Sequence, residues 1–212
     1  LALIDSGLVA HDDSPPDPTA LETALDRLRN APDPVRQDWR CARFMLDLFW
    51  MVKTGKRFMQ GDREALAFEP SDWEQCLDMV ALARGLASFD QYRADFLRGL
   101  AYFHLGRMQQ MFTAFEHLDR ETQSLTRRVI ATYVFADATG TPVKLSGQVK
   151  SVRPDGTNGR VWIPELSIEL PFIPRRFNLD DIRPNSLLPD FWISFNMRGP
   201  YADPVRSGLG HN

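Results

Sequence analysis

The sequence predicts an α+β chain, helical over its first part and built of short strands over its last. Three observations carry this. Apolar residues recur at three- and four-residue spacing from residue 19 to about residue 125. Beyond that point β-branched and aromatic residues dominate short runs. Gly, Pro and Asn then punctuate those runs at the spacing of a small barrel or sandwich. Three stretches follow: an N-terminal segment and linker (1–18), a helical domain (19–125) and a β domain (126–212).

The helices can be read in order. Residues 12–18, Asp-Asp-Ser-Pro-Pro-Asp-Pro, cannot sustain a helix or a central strand. Thr19 then caps a short helix with Glu22 as its capping-box partner, and Leu21, Leu25 and Leu28 share one face. Pro32 and Pro34 end it. From Gln37 to about Phe58, Trp39, Phe44, Leu48 and Val52 recur at helical spacing on a segment apolar around much of its circumference, which places it centrally in the packing. Ser71 starts the next helix with Glu74 in capping-box position, and Trp73, Leu77, Val80 and Leu86 form its buried stripe. Two further helices follow, Gln91 to Leu105 and Arg107 to Gln123, divided at Gly106.

The spacing of Gly99, Tyr102, Gly106 and Phe115 in this last pair resembles a tetratricopeptide repeat. In physical terms Gly99 lets the partner helix approach, Tyr102 packs between helices and Gly106 permits the tight turn. Met111 stands where that motif prefers a small residue, which predicts looser packing of the pair. One such unit does not make a solenoid, which needs about three, so the earlier helices would have to supply degenerate copies.

In the β domain, Val129 to Phe135 reads as a strand or the end of a helix, its composition favouring a strand. Val143 to Val152, Arg160 to Leu166, Ile168 to Ile173 and Phe191 to Phe195 follow as strands. Residues 144–206 resemble the cold-shock domain. Ser146-Gly147-Gln148-Val149 is similar to its opening strand, Asn158-Gly159-Arg160-Val161-Trp162-Ile163 to its second, and Phe191-Trp-Ile-Ser-Phe195 to its fourth. Arg198-Gly199-Pro200-Tyr201-Ala202 with Val205 is similar to the Lys-Gly-Pro-x-Ala lead-in to its last strand. The resemblance implies an antiparallel OB-like barrel that binds single-stranded RNA or DNA by stacking bases on exposed aromatics.

The departures bear on function. Arg160 and Trp162 stand where the family carries the two aromatics of its second strand, and a guanidinium can also stack on a base. Ile168-Glu-Leu-Pro-Phe172 replaces the third-strand motif, leaving Phe172 as its stacking candidate and adding Glu169, which repels phosphate. Arg175 and Arg176 are candidates for phosphate contact. The nucleic-acid-binding set is therefore Arg160, Trp162, Phe172, Arg175 and Arg176, on a face that is otherwise largely stripped. Packing of Trp162 against helices and solvation of the arginine pair are the competing readings.

Charge neither requires nor excludes a polyanion. From residue 141 onward nine Lys/Arg face seven Asp/Glu, against a net −3 for the whole chain, so the tail is weakly basic. Cys41 and Cys76 both fall in helical patterns and read as free thiols of a reducing compartment. No apolar run approaches the ~18 residues of a membrane span, and the first residues form no signal peptide. The missing initiator Met suggests a processed chain or, in our expectation, a piece of a longer one.

No phosphate-cradling Gly-rich loop, nucleophile elbow or His-Glu-x-x-His occurs. His104 and His117 read as structural, and the Asp12-Asp13 and Asp180-Asp181 pairs fall in loops. The sequence thus predicts no catalytic residues, no metal and no cofactor. It points to a non-enzymatic adaptor segment of a larger cytoplasmic, bacterial protein. Its helices would contact a protein partner or other domains of a longer parent chain, and its barrel would serve docking or recognition. Single-stranded nucleic-acid binding is the alternative, and an enzyme with an unfamiliar site the third.

Overall fold

The computed structural model describes residues 17–59, 63–82, 88–121, 133–177 and 182–205. They belong to two compact units, one of residues 1–61 and 68–124, the other of residues 62–67 and 125–212. The second unit thus draws a short segment from between the helices, beyond the stretch read as the β domain.

In the first unit α1 (Pro18–Arg29) starts where the proline-rich stretch ends. Asp17 is its N-cap, the side chain accepting the Thr19 N–H at 3.2 Å, and Pro18 takes the first turn, where its missing N–H costs nothing. This corrects the cap expected at Thr19: a carboxylate two residues upstream already meets the free amides. A single turn, α2 (Asp33–Arg36), precedes α3 (Trp39–Thr54), which Asp38 caps through the Arg40 N–H at 2.9 Å.

Helix α3 is central, as expected from its all-round apolarity. It buries Leu48, Phe49 and Trp50, and the Trp50 ring meets Phe58, Phe68 and Trp73 at centroid distances of 4.7, 4.9 and 6.2 Å. Trp73 belongs to α4 (Pro70–Leu82). The capping box expected there between Ser71 and Glu74 is not the one formed. The buried Asp72 carboxylate accepts the Glu69 N–H at 3.0 Å and pairs with Lys53 at 2.8 Å, while Glu74 pairs with Arg107.

Helices α5 (Ser88–His104) and α6 (Met108–Glu121) form an antiparallel hairpin turned at Gly106, whose φ is +70°. A methyl carbon added at Gly99 would lie 2.5 Å from Cε2 of Phe115, so only glycine lets that ring seat against α5. Met111 is fully buried and Tyr102 half-buried.

The second unit is a closed barrel with a two-strand extension. Its strands are β1 (Glu64–Ala65), β2 (Tyr133–Val134), β3 (Leu145–Val152), β4 (Gly159–Ile163), β5 (Ile168–Phe172), β6 (Leu187–Asn196) and β7 (Gly199–Pro204). Residues 129–132 of the expected first strand lie outside the described residues. Around the barrel the order is β3-β4-β5-β7-β6 and back to β3, an OB-like closure. All these pairs are antiparallel except β5 with β7, which run parallel through Phe172 and Ala202. That one parallel pair arises because β6 intervenes in sequence and reverses the chain between them. On the edge of β6 away from β7, β2 continues past the end of β3, and β1 lies parallel to β2.

Alternation sends Val149, Val161, Ile163, Leu170, Leu188, Phe191 and Phe195 into a fully buried interior. Gly147 marks where β3 bends hard onto its neighbour: a Cβ there would sit 2.5 Å from the Trp162 carbonyl oxygen.

Candidate functional site

The outer surface of β3, β4 and β5 follows from the same alternation. With Val161 pointing in, Arg160 and Trp162 point out, Arg160 exposed and Trp162 half-buried. Gln148 pairs across from Trp162 on one side and Glu169 on the other. A β-bulge in β3 sets Lys150 and Ser151, both exposed, opposite the single residue Arg160. Glu169 stands 3.9 Å from Arg160, a loose and half-exposed pair that offsets part of the positive charge. The face thus offers one indole, one guanidinium and one ammonium, with one carboxylate among them.

Phe172 is not on that face. Its ring is 1% exposed, inside the barrel beneath Gly159 and edge-on to Phe177 at 5.7 Å. The reading of Phe172 as a stacking ring is corrected on plain parity, since residues 168, 170 and 172 all face inward.

Arg175 and Arg176 sit on one 3₁₀ turn, Pro174–Arg176, and part company. Arg176 Nη1 lies 3.7 Å from Asp203 Oδ1, directed at a carboxylate that is fully buried. Arg175 instead lines a recess of about 380 Å³ at the end of the barrel, with Arg153, Arg183 and three prolines, Pro154, Pro174 and Pro184. Val152, Gly156 and Ile182 complete its described lining, which holds no carboxylate. The recess adjoins the outer face, because Val152 pairs with Gly159, the residue before Arg160.

Asp203 organises the opposite side. On β7 it pairs across from Trp192, and its Oδ2 takes Arg63 Nη2 at 2.8 Å and Ser194 Oγ at 3.5 Å. Burial, then the neighbouring Asp203 charge, pushes the Tyr201 phenol up to about 12. This cluster is an internal strut, and the sequence reading missed it.

Among the helices the histidines behave as structural groups. His104 stacks on Trp73, centroids 4.3 Å apart and 14° from parallel, and burial pushes its pKa down to about 3. His117 Nδ1 lies 3.0 Å from Asp95, whose buried carboxylate also takes Arg98 and Gln91. Cys76 is buried and Cys41 half-buried, both free thiols; desolvation raises the Cys76 thiol far above its ordinary value, with the Asp72 charge adding to it. Among the described residues no three His, Cys, Asp or Glu side chains converge on a metal position, and no helix is long and apolar enough to cross a membrane.

No family model, curated protein or solved structure is found to be similar to this chain. The geometry therefore stands alone.

Proposed function

We propose that the chain is a binding module whose barrel takes single-stranded RNA or DNA across β3, β4 and β5. One observation carries this: Trp162 and Arg160 project side by side from the outer face of β4, with Lys150 beside them. A ring contributes about 1–3 kcal/mol per stacked base whatever the base, and a guanidinium adds stacking and phosphate contact. The short sequence resemblance to cold-shock motifs, at Asn158 to Ile163 and Arg198 to Ala202, supports the same reading. Glu169 and the modest charge of the tail limit the electrostatic share, so stacking carries more of the affinity than counterion release. The loss of Phe172 to the interior leaves a narrower platform than that family uses.

The test is direct. A fluorescently labelled single-stranded 12-mer should bind the full chain at ~50 mM salt, and binding should weaken as salt rises. Trp162→Ala with Arg160→Ala should abolish it. Absence of binding at that salt sinks the reading.

A second reading, protein docking by the helical unit, rests on Phe112. It is 42% exposed on α6, while Met111, Phe115 and Leu118 of the same helix are buried. Partners recovered by the wild-type chain and lost with Phe112→Asp would support it; identical recovery by both would contradict it.

A further inference from the structure

Resting on that reading of the barrel, we infer that the arginine-lined recess beside β4 holds the terminal phosphomonoester of the bound strand. Val152 of the recess lies one ladder position from Arg160 of the stacking face, yet the chemistry of the two differs. The outer face offers a ring and spaced cations. The recess gathers guanidinium-bearing Arg153, Arg175 and Arg183 around one concavity of about 380 Å³. That volume lies at the lower end of the roughly 300–1,000 Å³ of small-ligand clefts, enough for a terminal nucleotide and not for a folded partner.

Charge selects the chain end. A backbone phosphodiester carries one negative charge, whereas a phosphomonoester carries about −1.5 to −2 at pH 7 and offers three acceptor oxygens. Arginine's planar donor fork matches such an oxygen set in bidentate fashion. Among the described residues Arg175 has no ion-pair partner, and its neighbour Arg176 is already directed at Asp203. The nearest described acid of the hairpin, Asp155, turns its carboxylate into its own loop, accepting the Thr157 N–H at 3.0 Å and the Thr157 hydroxyl at 2.7 Å. Those bonds hold its pKa below the ordinary value and keep it out of the lining.

The recess is also preorganised. Arg153 sits at the base of the β3–β4 hairpin, its N–H donating to the Asn158 carbonyl at 2.8 Å and its carbonyl accepting the Gly156 N–H at 2.9 Å. Arg175 is fixed by the 3₁₀ turn that Pro174 opens. Arg183 is held by Ser186, whose hydroxyl donates to its carbonyl at 2.7 Å, and the adjacent Asn185 N–H donates to Val149 at 2.8 Å. Three turns distant in sequence are thereby tied to β3 and β5. The backbone that carries the arginines is thus set in advance, and a ligand phosphate has only their side chains to order. The apolar walls, Val152, Ile182 and the proline rings, would lie against the terminal sugar or base.

The experiment compares one oligonucleotide sequence in three forms, with a 5′-phosphate, with a 3′-phosphate and with hydroxyls at both ends, against the full chain. One phosphorylated form is expected to bind about tenfold more tightly than the hydroxyl form, since charge-assisted bonds are roughly twice as strong as neutral ones. Adenosine monophosphate and inorganic phosphate should compete, the nucleotide better. Arg175→Gln and Arg153→Gln, at exposed positions, should bring the affinity ratio to one. Equal affinity of all three forms, a preference that survives both substitutions, or capture of a phosphoserine peptide in place of the strand end would overturn the inference. Adenosine monophosphate bound in the recess with no strand bound by the chain would leave the recess assignment standing and sink the proposed function.

Discussion

Arg63 brings its guanidinium to 2.8 Å from the Asp203 carboxylate, although 140 residues separate them. Arg63 adopts a left-handed backbone, φ +57°, just before β1, and Asp203 is fully buried. A buried carboxylate of this kind is tolerable only with its partner in place. Arg63→Met should therefore destabilise the barrel by about 1–3 kcal/mol, because it leaves the buried carboxylate with only the longer Arg176 pair. Replacing both members, Arg63→Met with Asp203→Leu, should recover most of that loss. Urea unfolding combined with hydrogen exchange at the β6 and β7 amides reads both effects; equal stability of wild type and Arg63→Met would contradict them.

Gly99→Ala sets two effects against each other. The new methyl gains about 1 kcal/mol of helix propensity. It also meets Phe115 Cε2 at 2.5 Å, an overlap that costs roughly 1–3 kcal/mol. The overlap should win, lowering the melting temperature, and Phe115→Leu in the same chain should restore part of it. At Gly106 no atom stands in the way of an added Cβ, so Gly106→Ala should cost only the left-handed backbone, about 1–2 kcal/mol, with no rescue by Phe115→Leu.

His104 ties stability to pH. Its pKa falls from 6.5 to about 3 in the folded chain because burial disfavours the charged ring. The unfolded chain therefore binds more protons between those values. Stability should be level above pH 6.5 and fall as pH drops from 6.5 toward 3. Urea midpoints at pH 7.5 and pH 5 measure the slope, which His104→Phe should flatten. An unchanged slope in that variant would show that other groups carry it.

Much of the fold was legible because local signals agree with it. The α3 segment is apolar on most sides and is central; Gly99 and Gly106 stand where a hairpin needs them; the runs read for β3 and β5 fall within two residues of their places, whereas the run read for β4 ends three residues late, β6 is longer than read and β1 was not foreseen. Caps were read less well: Asp17 meets the first amides of α1 in place of Thr19, and Asp72 reaches back to the Glu69 N–H where a Ser71–Glu74 box was expected. Phe172 was assigned outward by analogy with a motif, whereas its own parity with Ile168 and Leu170 already sends it inward. The divergent roles of Arg175 and Arg176 have no such local cue. They sit in one turn, and only the position of Asp203 on β7 separates them. The same holds for the recess, assembled from turns near residues 153, 175 and 183, and for residues 62–67, whose membership of the second unit leaves no pattern in the chain.

The claim that the barrel reads single strands through Trp162 is tested most directly by tryptophan emission during titration with an unlabelled oligonucleotide. The chain has five tryptophans, so the wild type and Trp162→Phe must be titrated in parallel. Saturable quenching is expected in the wild type and is largely lost in Trp162→Phe, with weaker binding of the variant. Quenching of equal depth and midpoint in both proteins, or none in either, would contradict it.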